Sequence, residues 1–269
     1  TRRQAFSAGF TYNFDDRWAI DASVRPEKKD GAKPMGTVSR NTGGDISAPI
    51  PDLIDNTHTQ TSVNMNFRND KAFAQASYYG SIFRTSVPFM SWQNWATPTG
   101  VVNTMSSAPS NEFNQFNVTG GVTVSASTKL VANGSYGRAT QNDAFLTDPT
   151  TPVVPVSSLN GLVVTTAFSA KLSSKPTKKL NLAAGYKYDD RDNRTAVHIF
   201  QYADAGETPT ANANFPAGPA NPLGAVVAQN ANANRPYSRR LNQASAEADY
   251  AVAPHQWIKG GYEFERINR

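Results

Sequence analysis

The 269-residue chain contains no cysteine. That excludes disulfides, thiolate metal sites, cysteine nucleophiles and covalent c-type haem attachment, so the chain cannot itself be a multihaem cytochrome. It also lacks any apolar run near the roughly 18 residues that a membrane helix needs, and its mean hydropathy is negative. A negative mean does not exclude a membrane β-barrel, because only alternate residues face lipid while lumen and loops are polar. The net charge is +5, yet the basic residues are scattered with no block of one sign, so no nucleic-acid partner is expected. Histidine is scarce: His58, His198 and His255 have no second ligand at metal spacing. No G-x-S-x-G, P-loop or G-x-G-x-x-G string occurs, and nothing assembles a nucleophile, a base and an oxyanion hole, so no enzyme is expected. Thr1-Arg2-Arg3-Gln4 leads directly into an alternating strand instead of a signal-peptide apolar region.

What the chain does have is a rhythm. Five times an alternating apolar/polar stretch reaches a short polar turn and returns as a second alternating stretch. The turns are Asp15-Asp16, Asn69-Asp70, Ser125-Ala126-Ser127-Thr128, Lys175 to Lys179, and Ala251 to His255. Long connections rich in Pro, Asn, Ala, Gly and Thr separate the hairpins, at about 26–55, 88–110, 142–159 and 194–236. Short turns at one end and long loops at the other are the pattern of a transmembrane antiparallel up-and-down β-barrel. The expectation is a single all-β region, 1–269, of about ten strands, each of about 11 to 14 residues, long enough to cross a bilayer when tilted.

Residues i and i+2 share one side of a strand, so the faces can be read directly. Phe6, Ala8, Phe10, Tyr12 and Phe14 oppose Ser7, Gly9, Thr11 and Asn13. Val63, Met65 and Phe67 oppose Gln60, Ser62, Asn64 and Asn66, although the return strand places Phe73, Tyr79 and Phe83 with Gln75 and Ser77 on the lumen side. The apolar faces hold much Ala and Gly and little bulk to fill a closed core, which suits lipid better than a partner sheet. Phe14, Trp18, Phe67, Phe73, Tyr250 and Trp257 bracket short turns, where an interfacial aromatic girdle belongs. The expected lumen face carries Arg17, Asp21, Arg25, Lys171, Lys187, Asp189, Glu247, Asp249, Lys259, Glu263 and Glu265. A pore selective for one ion sign would show one dominant charge; this mixture favours a lining for an inserted protein, with a general diffusion porin for small polar solutes as the alternative. Asp189, Asp190 and Asp192 cluster where a strand meets the longest loop and offer oxygen ligands to a hard cation, but their spacing does not match an EF-hand loop.

Several strings carry a resemblance. Gly44-Asp45-Ile46-Ser47-Ala48-Pro49-Ile50, Ser77-Tyr78-Tyr79-Gly80-Ser81, Ser135-Tyr136-Gly137-Arg138, Gln141 to Leu146, Tyr186 to Thr195, Asn234-Arg235-Pro236-Tyr237-Ser238 and Gly261 to Arg266 resemble the decahaem-associated outer-membrane barrels of the MtrB/PioB type. The resemblance implies a porin-like sheath in the bacterial outer membrane. It would enclose a periplasmic multihaem (decahaem) c-type cytochrome and insulate its haem chain from lipid during electron transfer. In such a sheath the haem belongs to the partner and no cofactor to this chain. A second multihaem cytochrome often docks outside, against the long loops. That family's barrels have many more strands, and a protein-sized plug is found only at around 22 strands. The expectation is therefore an arc of a wider barrel, and a ten-stranded barrel closed by pairing residues 1–14 with 256–269 would defeat it.

Overall fold

The computed structural model describes residues 1–41, 44–93, 102–147, 154–201 and 231–269. Every regular element among them is a β-strand. The first hairpin is β1 (Arg2–Ala5) and β2 (Ala8–Asn13) against β3 (Trp18–Asn41), and the second is β4 (Gly44–Arg68) with β5 (Ala72–Thr85). A small loop hairpin follows, β6 (Phe89–Gln93) with β7 (Val102–Ser106). The third and fourth hairpins are β8 (Asn111–Ser125) with β9 (Thr128–Gln141), and β10 (Gly161–Thr177) with β11 (Leu180–Asn193). Another small loop hairpin, β12 (Ile199–Gln201) with β13 (Ala231–Ala233), precedes the fifth, β14 (Arg239–Ala253) with β15 (Gln256–Asn268).

The main sheet is an antiparallel meander in the order β1-β3-β4-β5-β8-β9-β10-β11-β14-β15, with β2 also on β3. Its eleven segments make ten strand positions, because β1 and β2 hold one register against β3: Ala5 opposes Glu27 and Ala8 opposes Val24. The ladder breaks between them opposite Pro26, which has no N–H to give, and Phe6 N donates to the Pro26 carbonyl at 3.1 Å. β15 pairs only with β14, and β1 and β2 pair only with β3, so the sheet is open and the closed ten-stranded arrangement does not occur.

The connection expected as a loop over 26–55 is instead strand. β3 and β4 stay in register from Trp18 opposite Phe67 to Asn41 opposite Gly44, well beyond the point where β5 stops, at Thr85 opposite Asn56. Proline suggested a loop there, but Pro26, Pro34, Pro49 and Pro51 all fall on one alternation of this ladder, with Pro34 directly opposite Pro51. The Pro26 carbonyl points away from β4, toward Phe6. Positions of that parity direct their N–H away from the partner strand, so a missing donor costs no bond of the β3–β4 ladder. The other three connections stay largely irregular where described, apart from the two short hairpins and a bridge between Ala144 and Ser158; 94–101, 148–153 and 202–230 lie outside the described residues.

The short turns at the opposite end share one chemistry. Asp15 Oδ1 accepts from the N–H of Arg17 and Trp18, both at 2.7 Å, and Asn69 Oδ1 accepts from Lys71 and Ala72 at 2.9 and 2.7 Å. Ser125 and Thr177 accept similarly from Ser127 and Lys179, and the fifth turn uses His255 at φ 62°. Side-chain oxygens thus replace backbone acceptors in tight turns. The fourth and fifth turns are shorter than expected, because β10 runs to Thr177 and β14 to Ala253. The two N–H donors hold the Asp15 carboxyl below its ordinary value of 3.8. A depressed carboxyl stabilises the fold above its unfolded pKa and loses that contribution as pH falls through the folded one. Asp15→Ala should therefore unfold more easily than the parent at pH 7, and the gap should close as pH is lowered from about 4, as read from denaturant midpoints at each pH.

There is almost no core. Among the described residues only Met90, Val164, Ile199 and Leu241 are buried hydrophobics, whereas Phe10, Phe116, Val118, Ile258 and Tyr262 are each at least 60% exposed. An exposed apolar area of this extent calls for another apolar phase.

Candidate functional site

Direct partners in an antiparallel ladder lie on the same side, so register assigns every strand residue to a face. One row runs Ile20, Met65, Ala76, Val118, Gly134, Phe168 across β3 to β10; another runs Val122, Leu130, Leu172, Ala184, Ala246, Tyr262 across β8 to β15. This apolar face is continuous across the sheet. On β3 it ends at Pro26, beyond which Lys28 and Asp30 follow on the same side. From Trp18 to Pro26 is about 27 Å along the strand, which a tilt of about 40° shortens to roughly 20 Å, most of the apolar band of an outer-membrane barrel.

Two aromatic belts bound that band. At the short-turn end Trp18 meets Phe67 at 4.7 Å between ring centroids, Phe14 packs edge-on against Tyr12, and Tyr250 opposes Ile258. Phe73 and Trp257, expected in this girdle, are on the polar face instead. Phe73 opposes Gly121, and a Cβ at Gly121 would come within 2.4 Å of the Phe73 ring; Trp257 opposes Ala251. Missed from sequence was the second belt, at the loop end: Tyr78, Phe116, Tyr136, Phe168, Tyr186 and Tyr188. Tyr78 meets Phe116 at 5.1 Å, and the hydroxyls of Tyr78, Tyr186 and Tyr188 donate to Asn114, Asn242 and Asp190. An apolar ring with a hydroxyl directed at a polar rim is the interfacial use of tyrosine.

The rim beyond it, still on the apolar side, is a line of ion pairs: Lys28 with Asp55, Arg84 with Glu112, Arg240 with Asp190 at 3.0 Å and Arg194 with Asp192 at 2.7 Å. This settles the aspartate cluster. Asp189 is on the polar face and Asp190 and Asp192 on the other, each bound to an arginine, so the three carboxylates do not converge on one cation.

On the polar face register collects Asp21, Arg25, Lys171, Lys187, Asp189, Glu247, Asp249, Lys259, Glu263 and Glu265; Arg17 lies outside the strands, in the first short turn. Their signs are largely segregated, although Asp189 and Arg191 share the polar side of β11 with Lys187, and Lys259 stands beside the acids of β15. Between Asn56 and Asn66 on β4, and on the polar sides of β5 and β8, there is no Asp, Glu, Lys or Arg. That stretch is amide and hydroxyl, cross-linked by Gln60 to Tyr79 at 2.9 Å, His58 to Ser81 at 2.8 Å, and Asn66 to Asp21 at 3.0 Å. Lys171 and Lys187 follow on β10 and β11 without a carboxylate partner among the described residues. On β14 and β15 stand Glu247, Asp249, Glu263 and Glu265. Only Asp249 is ion-paired among these, to Lys259 at 3.6 Å, while Glu263 accepts from Gln243. Between the two charged sectors lies a hollow of about 250 Å³ at Gly185 and Ala183, with Lys171 and Lys187 on one flank and Glu247 on the other. Among the described residues the face offers unneutralised charge of both signs in fixed places.

Over residues 1–269 the chain matches the family described as outer membrane beta-barrel porin, MtrB/PioB. It is 25% identical over 273 residues to the outer membrane protein MtrB of Shewanella baltica (strain OS185), covering 100% of this chain and 36% of that protein. The chain thus spans well under half the length of that relative. Among solved structures, the outer membrane transporter YddB of Escherichia coli aligns with 99% of this chain and 34% of its own at a TM-score of 0.49 and 10% identity.

Proposed function

Because the chain belongs to the MtrB/PioB family of outer-membrane β-barrel porins, we propose that this length of barrel wall encloses a periplasmic multihaem c-type cytochrome and insulates it from lipid. The observation that supports the reading is the polar face, where Lys171 and Lys187 on one side and Glu247, Glu263 and Glu265 on the other lack ion-pair partners among the described residues. A wall facing only water gains little from opposed charges held in separate sectors. A wall facing one protein in one orientation gains steering and register from them. The open sheet supports it as well, since about ten strands close on a lumen filled by side chains and a protein needs a much wider ring. The work of the chain is then that of a scaffold. Haem and electrons belong to the partner, and the β3–β4 ribbon with the long loops forms the outer surface where a second cytochrome docks.

The test is purification of the full-length protein from its native outer membrane in mild detergent. Haem absorbance should co-migrate with the barrel at a fixed ratio through two successive columns. A haem-free barrel that conducts ions in planar bilayers would replace this reading with a diffusion porin.

A further inference from the structure

Among the rim cations of the apolar face, Arg138 on β9 stands apart. Lys28, Arg84, Arg194 and Arg240 each hold a carboxylate. Arg138 is exposed and makes no ion pair or hydrogen bond with any described residue. Its direct partners are Asn114 on β8 and Val164 on β10. The nearest carboxylate by register, Glu112 two residues along from Asn114, is engaged by Arg84. Asp192, beyond Val164 in the same row, is engaged by Arg194. Arg138 is two residues past Tyr136 of the loop-end belt, at the level where lipid headgroups meet hydrocarbon. A guanidinium at that boundary keeps its N–H donors free for a phosphate of the lipid headgroups.

Directly toward the membrane centre from Arg138, the apolar face is hollowed. A depression of about 490 Å³ opens among Val118, Gly120, Leu130, Ala132, Gly134 and Phe168. Gly134, on its upper edge, is about 13 Å along β9 from Arg138, within the roughly 15 Å of hydrocarbon that one leaflet contributes. A free fork of N–H donors at headgroup depth and an apolar recess one half-leaflet below it match one amphiphile.

We propose that Arg138 and this hollow bind an anionic lipid of the surrounding leaflet, its phosphate on the guanidinium and an acyl chain in the hollow. Arginine is suited to the headgroup because its planar donors meet phosphate in a bidentate pair. The inference rests on the membrane-barrel assignment alone and is independent of the cytochrome reading.

The test uses the full-length protein in detergent, with native mass spectrometry reading the lipid retained after delipidation and titration with phosphatidylglycerol or with phosphatidylcholine of the same chains. The parent should retain phosphatidylglycerol about tenfold better, the scale of one charged hydrogen-bonded contact. Arg138→Gln should abolish that preference. Gly134→Leu, whose Cβ meets only the Ala167 carbonyl at 3.9 Å, should weaken retention of both lipids with the preference intact. Heat-dependent gel mobility verifies folding of each variant. Equal retention of the two lipids by the parent would overturn the proposal, as would an undiminished preference in Arg138→Gln. Full displacement of phosphatidylglycerol by millimolar inorganic phosphate would reduce the site to an anion contact and overturn it too.

Discussion

Arginine at Ala132 should cost about 2–4 kcal/mol of folding stability in a bilayer, while arginine at Asn133, one residue along the same strand, should cost less than about 1 kcal/mol. Ala132 lies in the apolar row between Gly120 and Ala170, and Asn133 in the polar row between Thr119 and Ser169. Both are interior to β9 and adjacent in sequence, so depth and backbone context are nearly the same and only the face differs. At Ala132 the guanidinium must stay in hydrocarbon or distort the bilayer to reach water. At Asn133 it extends into the polar interior and gives up one exposed hydrogen bond, from Ser169 Oγ at 3.1 Å. Denaturant unfolding in lipid vesicles, with tryptophan emission as the readout, measures both. Equal penalties would mean that both faces are buried in protein, and a reversed order would turn the wall inside out.

The alternation of the two faces was legible in the sequence because it needs no knowledge of partners: parity put Asp21 and Arg25 on one side of β3, and Glu247 and Asp249 on one side of β14. Proximity to a turn was a weaker guide. Phe73 was assigned to the girdle for its place beside Asn69-Asp70, although Gln75 and Ser77 on its own side already marked that face as polar; in the structure its ring covers Gly121, a cross-strand cover for a glycine that no single strand reveals. The second belt was missed for a related reason. Tyr78, Phe116 and Tyr136 come from three strands, and register alone brings them to one row. The β3–β4 ribbon was hidden by a true rule used without its condition. Proline breaks a ladder only where its nitrogen faces the partner, and the parity that turns Pro26, Pro34, Pro49 and Pro51 away from the β3–β4 ladder appears only once the pairing is known.

The segregation of charge on the polar face carries the second large effect. If the proposed cytochrome occupies the wall, reversing the acidic sector with Glu247→Lys, Glu263→Lys and Glu265→Lys together should weaken its retention more than tenfold. Three attractions become repulsions in a confined site where each is worth roughly 1 kcal/mol or more. Reversing the other sector with Lys171→Glu and Lys187→Glu should act in the same direction, and Gln115→Lys in the uncharged stretch should act far less. Lys187 and Glu265 lie in one row, separated only by Gln243, or about 10 Å, close to the Debye length at physiological salt. Each sector is therefore felt separately by whatever faces it. The readout is haem per barrel after washes of rising ionic strength. The parent should release the cytochrome only at high salt, and both reversed variants at low salt. If the acidic-sector variant retains haem like the parent at every wash, these charges do not hold the partner, although a haem-bearing parent would still be a sheath. If both reversals act while Gln115→Lys does not, the partner presents basic groups toward β14 and β15 and acidic groups toward β10 and β11. Only one rotational setting inside the wall satisfies both, and a fixed setting is what an electron-carrying chain of haems requires if its ends are to meet their donors and acceptors.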